Sequence, residues 1–439
     1  MRKLFFIVLI AIVALRVVAQ KPNIILIESD DQSNLAVGAY GWDKVFTPNI
    51  DKIAEEGVYF TSAYNMGCWS PAVCIPSRTM LFNGVSVWRA AQLSAKNVPG
   101  PSLVERLAQV GYTTYFTGKW HALGKNPREM FHHYGHILPG QLKDYYTNQG
   151  HLTDVVGQEA VEFINQAAQE NEPFFLYVAF NAPHVPRKTA QQYYNMYPPE
   201  NIKLPPSVKD GPLHPNIKYN YSKNPLSSNE MRTRYQQNNA MVSHMDERIG
   251  DILEALKKTG NYDNSIIVFM SDQGINFGEN GVAGKVCLYD VSATAPLIIS
   301  APGISKGKKF NKCVYLQDIY PTLLEMLDTD VPEYMEFKSL LPVLQAKTNE
   351  SPHNSIYMGM FDDQRGIVHN NYKLILYTQA AEAELYNLNQ DKWEMNNLMG
   401  SNIAKTIIPT LGSEFFKWQQ QTGDTLDVKA LFPNLFTEN

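Results

Sequence analysis

Basic residues are the minority in this chain, with 38 Lys and Arg against 43 Asp and Glu. A globally acidic protein is a poor nucleic-acid binder, because phosphates call for a basic face. A local cluster of cations could still take an anionic substrate. Cysteine is scarce as well, at four residues in 439. In an oxidising compartment, four would ordinarily pair as two disulfides. Internal repeats and low-complexity tracts are absent, and the length allows one large core plus a smaller domain. Long apolar runs occur only at Leu4 to Leu15, behind Arg2 and Lys3 and ahead of the small residues Val17-Val18-Ala19. Twelve apolar residues are too few to span a bilayer comfortably, so Met1 to Ala19 reads as a signal peptide. Without it the balance is 35 basic against 43 acidic side chains, a charge of -8. The expectation is a soluble protein exported to the periplasm or the medium.

What is present is a series of buried strands that each end on polar residues. Asn23 to Glu28 is a mostly apolar run of the kind buried on both faces of a sheet, and it ends on Ser29-Asp30-Asp31. Thr47-Pro48 opens a helix, and Ser102 with Glu105 predicts a capping box. A second strand, Tyr112 to Thr117, runs into Gly118-Lys119-Trp120-His121, and a third, Phe174 to Phe180, into Asn181-Ala182-Pro183-His184. Helical periodicity covers about 153–170 and 230–258. A fourth strand, Ser265 to Met270, delivers Ser271-Asp272-Gln273, and a fifth, Pro296 to Ser300, follows the loop carrying Lys285. The βαβα alternation implies an α/β fold with a large, mostly parallel sheet flanked by helices. Sites in such folds lie at the carboxyl ends of the strands. From about 330 the character changes to short antiparallel strands, so the expected division is 20–345 for the large domain and 346–439 for a small one. The stretch 185–228, rich in Pro, Tyr, Asn and Lys, reads as a long surface excursion.

The most informative segment is Cys74-Ile75-Pro76-Ser77-Arg78, followed by an apolar run that stops at Gly84. Pro76 suits the first turn of a helix and Gly84 its end, which places the thiol at a helix N-terminus, where free N–H groups favour negative charge. A buried structural cysteine, or a bridge to Cys68, is the plain alternative. The pattern also resembles the signature of the type I sulfatases, of alkaline-phosphatase-like fold. There the cysteine is oxidised to Cα-formylglycine by a sulfatase-maturing enzyme, and the hydrated aldehyde is the nucleophile.

That resemblance covers roughly Lys21 to Leu398. It implies a metal site of Asp30, Asp31, Cys74, Asp272 and Gln273, and catalytic roles for Cys74, Arg78, Lys119, His121, His184 and Lys285. Three carboxylates and an amide oxygen form a hard-oxygen cage suited to one Ca²⁺. Gln273 departs from the Asn or His usual in the family by a longer side chain. Three cations would neutralise charge on a sulfate ester during attack. His184 is assigned to protonate the departing oxygen and His121 to take a proton from the nucleophile after sulfation. If Cys74 is modified, at most one disulfide remains, and Cys287 with Cys313 is the candidate pair.

Other residues stay open between binding and structure. Trp88 and Arg89, with Trp69, could line a sugar pocket or pack in the core. Arg187 and Arg365 could meet a second anionic group or be solvated charges. His132, His133 and His136 read as a substrate-facing loop. The expected activity is hydrolysis of sulfate esters on a carbohydrate. The alternatives are a phosphonate or phosphate esterase of the same superfamily and a sugar-binding relative without catalysis.

Overall fold

The computed structural model describes residues 20–436 apart from 43, 95, 171 and 209; the segment read as a signal peptide lies outside the described residues. Eight strands form the main sheet: β1 (Asn23–Ser29), β2 (Val58–Phe60), β3 (Thr113–Lys119), β4 (His133–Leu138), β5 (Phe174–Ala179), β6 (Ser265–Ser271), β7 (Leu297–Ser300) and β8 (Lys308–Phe310). Their spatial order is β8-β2-β7-β6-β1-β5-β3-β4. The run β6-β1-β5-β3-β4 is parallel throughout, whereas β7 lies antiparallel to both its neighbours. β1 is buried at every position. Its side chains alternate between two cores, Ile24 and Leu26 on one face and Ile25 and Ile27 on the other. Burial of each such side chain contributes about 1.5–3 kcal/mol.

Five helices position the site: α1 (Pro48–Glu55), α2 (Cys74–Asn83), α3 (Leu103–Gln109), α4 (Leu152–Glu170) and α5 (Ser228–Lys258). Leu81 and Phe82 of α2 and Leu103 and Leu107 of α3 pack on the first face. Ile50 and Ile53 of α1, Val156 and Ile164 of α4 and Met241 and Ile249 of α5 pack on the second. Pro48 starts α1, and the capping box at Ser102 and Glu105 forms as the sequence predicts.

The C-terminal part forms a second sheet of β9 (Ser355–Met360), β10 (Gln364–His369), β11 (Tyr372–Tyr377) and β12 (Glu382–Asn387), covered by α6 (Asn402–Thr422). These four strands pair antiparallel in sequence order. The sheet also takes in Gly67–Cys68, parallel to β9. The two parts are therefore sewn together six residues before Cys74.

Two expectations change, on the histidine stretch and the disulfides, and the surface excursion gains its anchor points. The His132–His136 stretch is not a loop: β4 is an edge strand of the main sheet, with His133 stacked on Tyr115 at 4.8 Å between centroids and His136 Nδ1 2.6 Å from Glu159. The long excursion is anchored to both parts, Tyr221 N–H donating to Ala283 O (2.7 Å) and Lys218 Nζ pairing with Asp363 (2.7 Å). All four cysteines are free. Cys68 Sγ faces Met360 Sδ at 3.3 Å and Cys287 Sγ faces Asn276 Oδ1 at 3.5 Å, so neither Cys68–Cys74 nor Cys287–Cys313 is bridged.

Candidate active site

Strand register brings the acids together. β1 and β6 pair from Asn23 with Ser265 to Ser29 with Ser271, so both strands end level. Asp30-Asp31 and Asp272-Gln273 follow at once, side by side. Neighbouring residues of an extended chain point to opposite faces. Asp31 breaks that alternation with φ of 62°, a left-handed conformation uncommon outside glycine. Its carboxylate thereby ends within reach of those of Asp30 and the imidazole of His184. The Asp31 N–H donates to Asp272 Oδ1 (3.1 Å), which locks the two strand ends to each other.

Lys119 arrives from the end of β3 through a shift in register between Phe116 and Gly118, the kind of irregularity that re-aims a side chain. Gly118 has φ of 104°, and a Cβ there would lie 1.9 Å from Ala179 O, so only glycine fits. Lys119 is fully buried; it pairs closely with Asp30, and its Nζ lies 3.2 Å from Cys74 Sγ. Lys285 Nζ lies 2.8 Å from Asp31 Oδ1 and 4.0 Å from the same sulfur. Cys74 is the first residue of α2, and Gly84 closes that helix in the left-handed conformation. On the other side of the sulfur stands His121, with Nδ1 at 3.3 Å. Gly140 backs its ring so closely that a Cβ would lie 2.2 Å from His121 Cε1.

Arg78 holds the frame. Its Nε donates to Asp272 Oδ2 (3.1 Å), and Nη1 donates to Lys119 O (3.1 Å) and Tyr177 Oη (2.9 Å). Glu28 lies 3.6 Å away. Its charge is thus taken up by carboxylates, and it acts here as a positioning residue. His184 Nδ1 lies 2.8 Å from Val185 O, which makes Nδ1 the protonated nitrogen and leaves Nε2, 3.6 Å from Asp31 Oδ2, free to exchange a proton. Tyr145 Oη fixes this loop by donating to Asn181 O and His184 O.

The electrostatics are those of crowded acids and bases. Burial works against the Asp30 carboxylate, but Lys119, His184, Arg78 and Lys285 outweigh it and hold its pKa below the usual range. Asp31 is likewise lowered against its burial, chiefly by Lys285. Burial, and then the charge of Asp30, raise Asp272 to about 8. Burial followed by Lys119 and Arg78 lowers His121 to about 4, so its imidazole is neutral at pH 7 and can accept a proton. Two buried oxygens, Asp30 Oδ1 and Gln273 Oε1, have no hydrogen-bond partner among the described residues, while Gln273 Nε2 donates to Asp31 Oδ1. Buried acceptors of that kind are costly unless something satisfies them. A hard cation fits this donor set, which is mainly carboxylate and amide oxygens with the His184 imidazole and the Cys74 sulfur at its edge.

The expected catalytic and metal residues therefore converge at one place. The expected substrate residues mostly do not. Arg365 is 1% exposed and forms a two-point pair with Asp424, Nε to Oδ2 at 2.6 Å and Nη2 to Oδ1 at 2.9 Å. Its charge is neutralised inside the small domain, so it is not available to a substrate. Trp88 stacks on Tyr357 at 5.1 Å, under the Arg365 guanidinium, and so packs as core. Arg89 is paired with Glu336 and donates to Gln421 O (2.9 Å), which ties α6 to the large part. Arg187 alone of this group stands near the acids. Sequence reasoning missed Glu28 and Tyr177, which brace Arg78; the one signal was an acid closing an apolar strand. Nothing in the sequence pointed to Gly140 or Tyr145.

A buried cage of hard oxygens facing two lysines and a helix-terminal cysteine, at the carboxyl end of a parallel sheet, defines a hydrolase of anionic esters. Comparison with known families agrees: the family described as Sulfatase matches residues 22–329, and that described as N-sulphoglucosamine sulphohydrolase, C-terminal, matches 278–421. The chain belongs to the sulfatase family, sulfuric ester hydrolases of alkaline-phosphatase-like fold. An ulvan-active sulfatase of Formosa agariphila is 27% identical over 438 residues, covering 92% of this chain and 82% of that protein. An N-acetylglucosamine-6-O-sulfatase of Bacteroides thetaiotaomicron is 27% identical, covering 87% and 83%. A solved structure in complex with its substrate D-glucosamine-2-N,6-O-disulfate superposes with a TM-score of 0.78 at 24% identity, covering 92% and 99%, and shares the fold.

Proposed function

We propose that this sulfatase removes sulfate from a carbohydrate, with a formylglycine made from Cys74 as nucleophile and one calcium ion held by Asp30, Asp31, Asp272 and Gln273. The observation that carries this reading is the position of Cys74 Sγ, 3.2 Å from Lys119 Nζ and 3.3 Å from His121 Nδ1, beside acids whose oxygens Asp30 Oδ1 and Gln273 Oε1 are unpaired. The carbohydrate follows from relatives named for ulvan and N-acetylglucosamine 6-sulfate.

When bound, calcium supplies positive charge against a sulfate oxygen, and the hydrated aldehyde supplies a hydroxyl for attack on sulfur. The chain's own groups do the rest. Lys119 and Lys285 hold fixed positive charge where negative charge grows. His184, as the imidazolium with its Nδ1–H held by Val185 O, gives the Nε2 proton to the departing sugar oxygen. Neutral His121 takes a proton from the nucleophile at Nδ1 after the sulfuryl group has been transferred. Gln273, with its amide nitrogen turned to Asp31, offers its carbonyl oxygen to the cation, which answers the longer side chain. The same reading has the chain exported through Met1 to Ala19 and matured at Cys74-Ile75-Pro76-Ser77-Arg78 by a formylglycine-generating enzyme.

Coexpression with such an enzyme, followed by mass spectrometry of the Cys74 peptide, tests the nucleophile: oxygen replaces sulfur. The product should hydrolyse 4-nitrophenyl sulfate in preference to 4-nitrophenyl phosphate and carry one calcium per chain. Full activity with an intact Cys74 thiol, or a preference for the phosphate, would sink the proposal.

A further inference from the structure

Three residues past His184, the Arg187 guanidinium lies over the Phe277 ring at 4.8 Å. Its Nε and Nη2 are buried and have no hydrogen-bond partner among the described residues. Arg78 and Arg365, whose side chains are buried outright, each hold a carboxylate. Burial pulls Arg187 below its usual pKa, with Asp31 acting against that from the metal cage and Arg234 adding a like charge. Arg234 comes from α5 and is half-buried; its acidic neighbour, Glu230, is already spent on the Ser227 cap. The hydroxyl of Tyr221 lies in the same field, influenced by Lys285, Asp31 and Arg187. The platform is rigid: Phe277 sits edge-on to Tyr235 at 5.1 Å, and its N–H donates to Glu279 Oε2 (2.6 Å).

Two guanidinium nitrogens buried without an acceptor, on a side chain that is otherwise half-buried, are unfavourable, and their fork matches two oxygens of a carboxylate or a sulfate. Resting on the sulfatase reading above, we propose that Arg187, supported by Arg234, is a second anion subsite, and that the substrate is a sugar bearing a second sulfate or a carboxylate beside the sulfate that is removed. The subsite selects the substrate; it takes no part in breaking the S–O bond.

The readout is a ratio of kcat/KM values, so that general effects on rate cancel. One pair of substrates is a hexosamine 6-sulfate with and without a second sulfate. The other is a sulfated uronic acid and its carboxyl methyl ester. Wild type should prefer the doubly charged member of at least one pair, and the pair that responds identifies the anion. Arg187→Gln should lower that preference about 10- to 100-fold, the range for a charge-assisted hydrogen-bonded contact, and Arg234→Gln by less. If Arg187→Gln does not fold, Arg187→Met keeps the packing on Phe277 and takes its place. No preference in wild type, or a preference unchanged within twofold in the folded Arg187 variant, overturns the subsite. Failure of wild type to release sulfate even from 4-nitrophenyl sulfate would instead bring down the sulfatase reading, and this inference with it.

Discussion

Two of the places where the molecule buries charge differ in how completely those charges are matched. In the small domain, Arg365 and Asp424 face each other at two points, and Asp424 also accepts from Tyr357 Oη (2.5 Å), Gln419 Nε2 (3.3 Å) and Leu426 N–H (3.2 Å). At the sheet end, Asp30, Asp31 and Asp272 meet Lys119, Lys285 and Arg78, yet Asp30 Oδ1, Gln273 Oε1 and Arg78 Nη2 remain unpaired. A closed buried network serves the fold. An open one stores unmet bonding capacity that only a ligand can use, and the protein pays for it in stability.

The difference can be broken by experiment, and the largest effect should come from the nucleophile. Cys74→Ala is expected to lower kcat by about 10⁴-fold or more while the melting temperature stays close to wild type; collapse of the fold would show that the open cluster is structural after all. His184→Ala should cost about 10²–10⁴-fold on a sulfated sugar and much less on 4-nitrophenyl sulfate, whose leaving group departs largely unaided. Equal losses on both substrates would remove His184 from the role of acid. Arg365→Ala should do the reverse of the nucleophile variant. Breaking a buried pair costs about 3–5 kcal/mol of stability, read as a fall in the denaturant midpoint, with kcat per folded molecule kept. A normal midpoint with lost activity would mean that Arg365 serves the substrate. The smallest effect is that of the cation. Adding calcium at 100-fold its dissociation constant to chelated protein should raise stability by about 2.7 kcal/mol, and the gain should vanish in Asp30→Asn. A gain of the same size in that variant would place the ion elsewhere.

Much of the open cluster was legible because its chemistry rides on strand ends. Buried strands show as apolar runs, and Asp30-Asp31, Lys119, His184 and Asp272-Gln273 each follow one directly. The closed cluster was not legible. Arg365 and Asp424 are 59 residues apart in sequence, and no local pattern marks one as the partner of the other. The same holds for Arg89, whose carboxylate, Glu336, lies 247 residues on. His132, His133 and His136 misled for a related reason. A short edge strand alternates weakly, and its neighbours Thr114, Tyr115 and Glu159 are distant in the chain.

The sequence by itself determined the strands β1, β3, β5, β6 and β7, the capped helices, the helix-terminal cysteine and the family, because these depend on periodicity, on capping residues and on a signature read within a few positions. Only the tertiary structure decided which charges meet. The level ends of β1 and β6, the left-handed turn at Asp31 and the register shift before Lys119 bring Asp30, Asp31, Asp272 and Lys119 together beside one sulfur. Packing of the small domain removes Arg365 from that set, while Arg187, over Phe277 of the large domain, keeps Nε and Nη2 unpaired. Whether a buried charge is neutralised or left waiting depends on distances between residues far apart in the chain, and those distances exist only once the two sheets have packed.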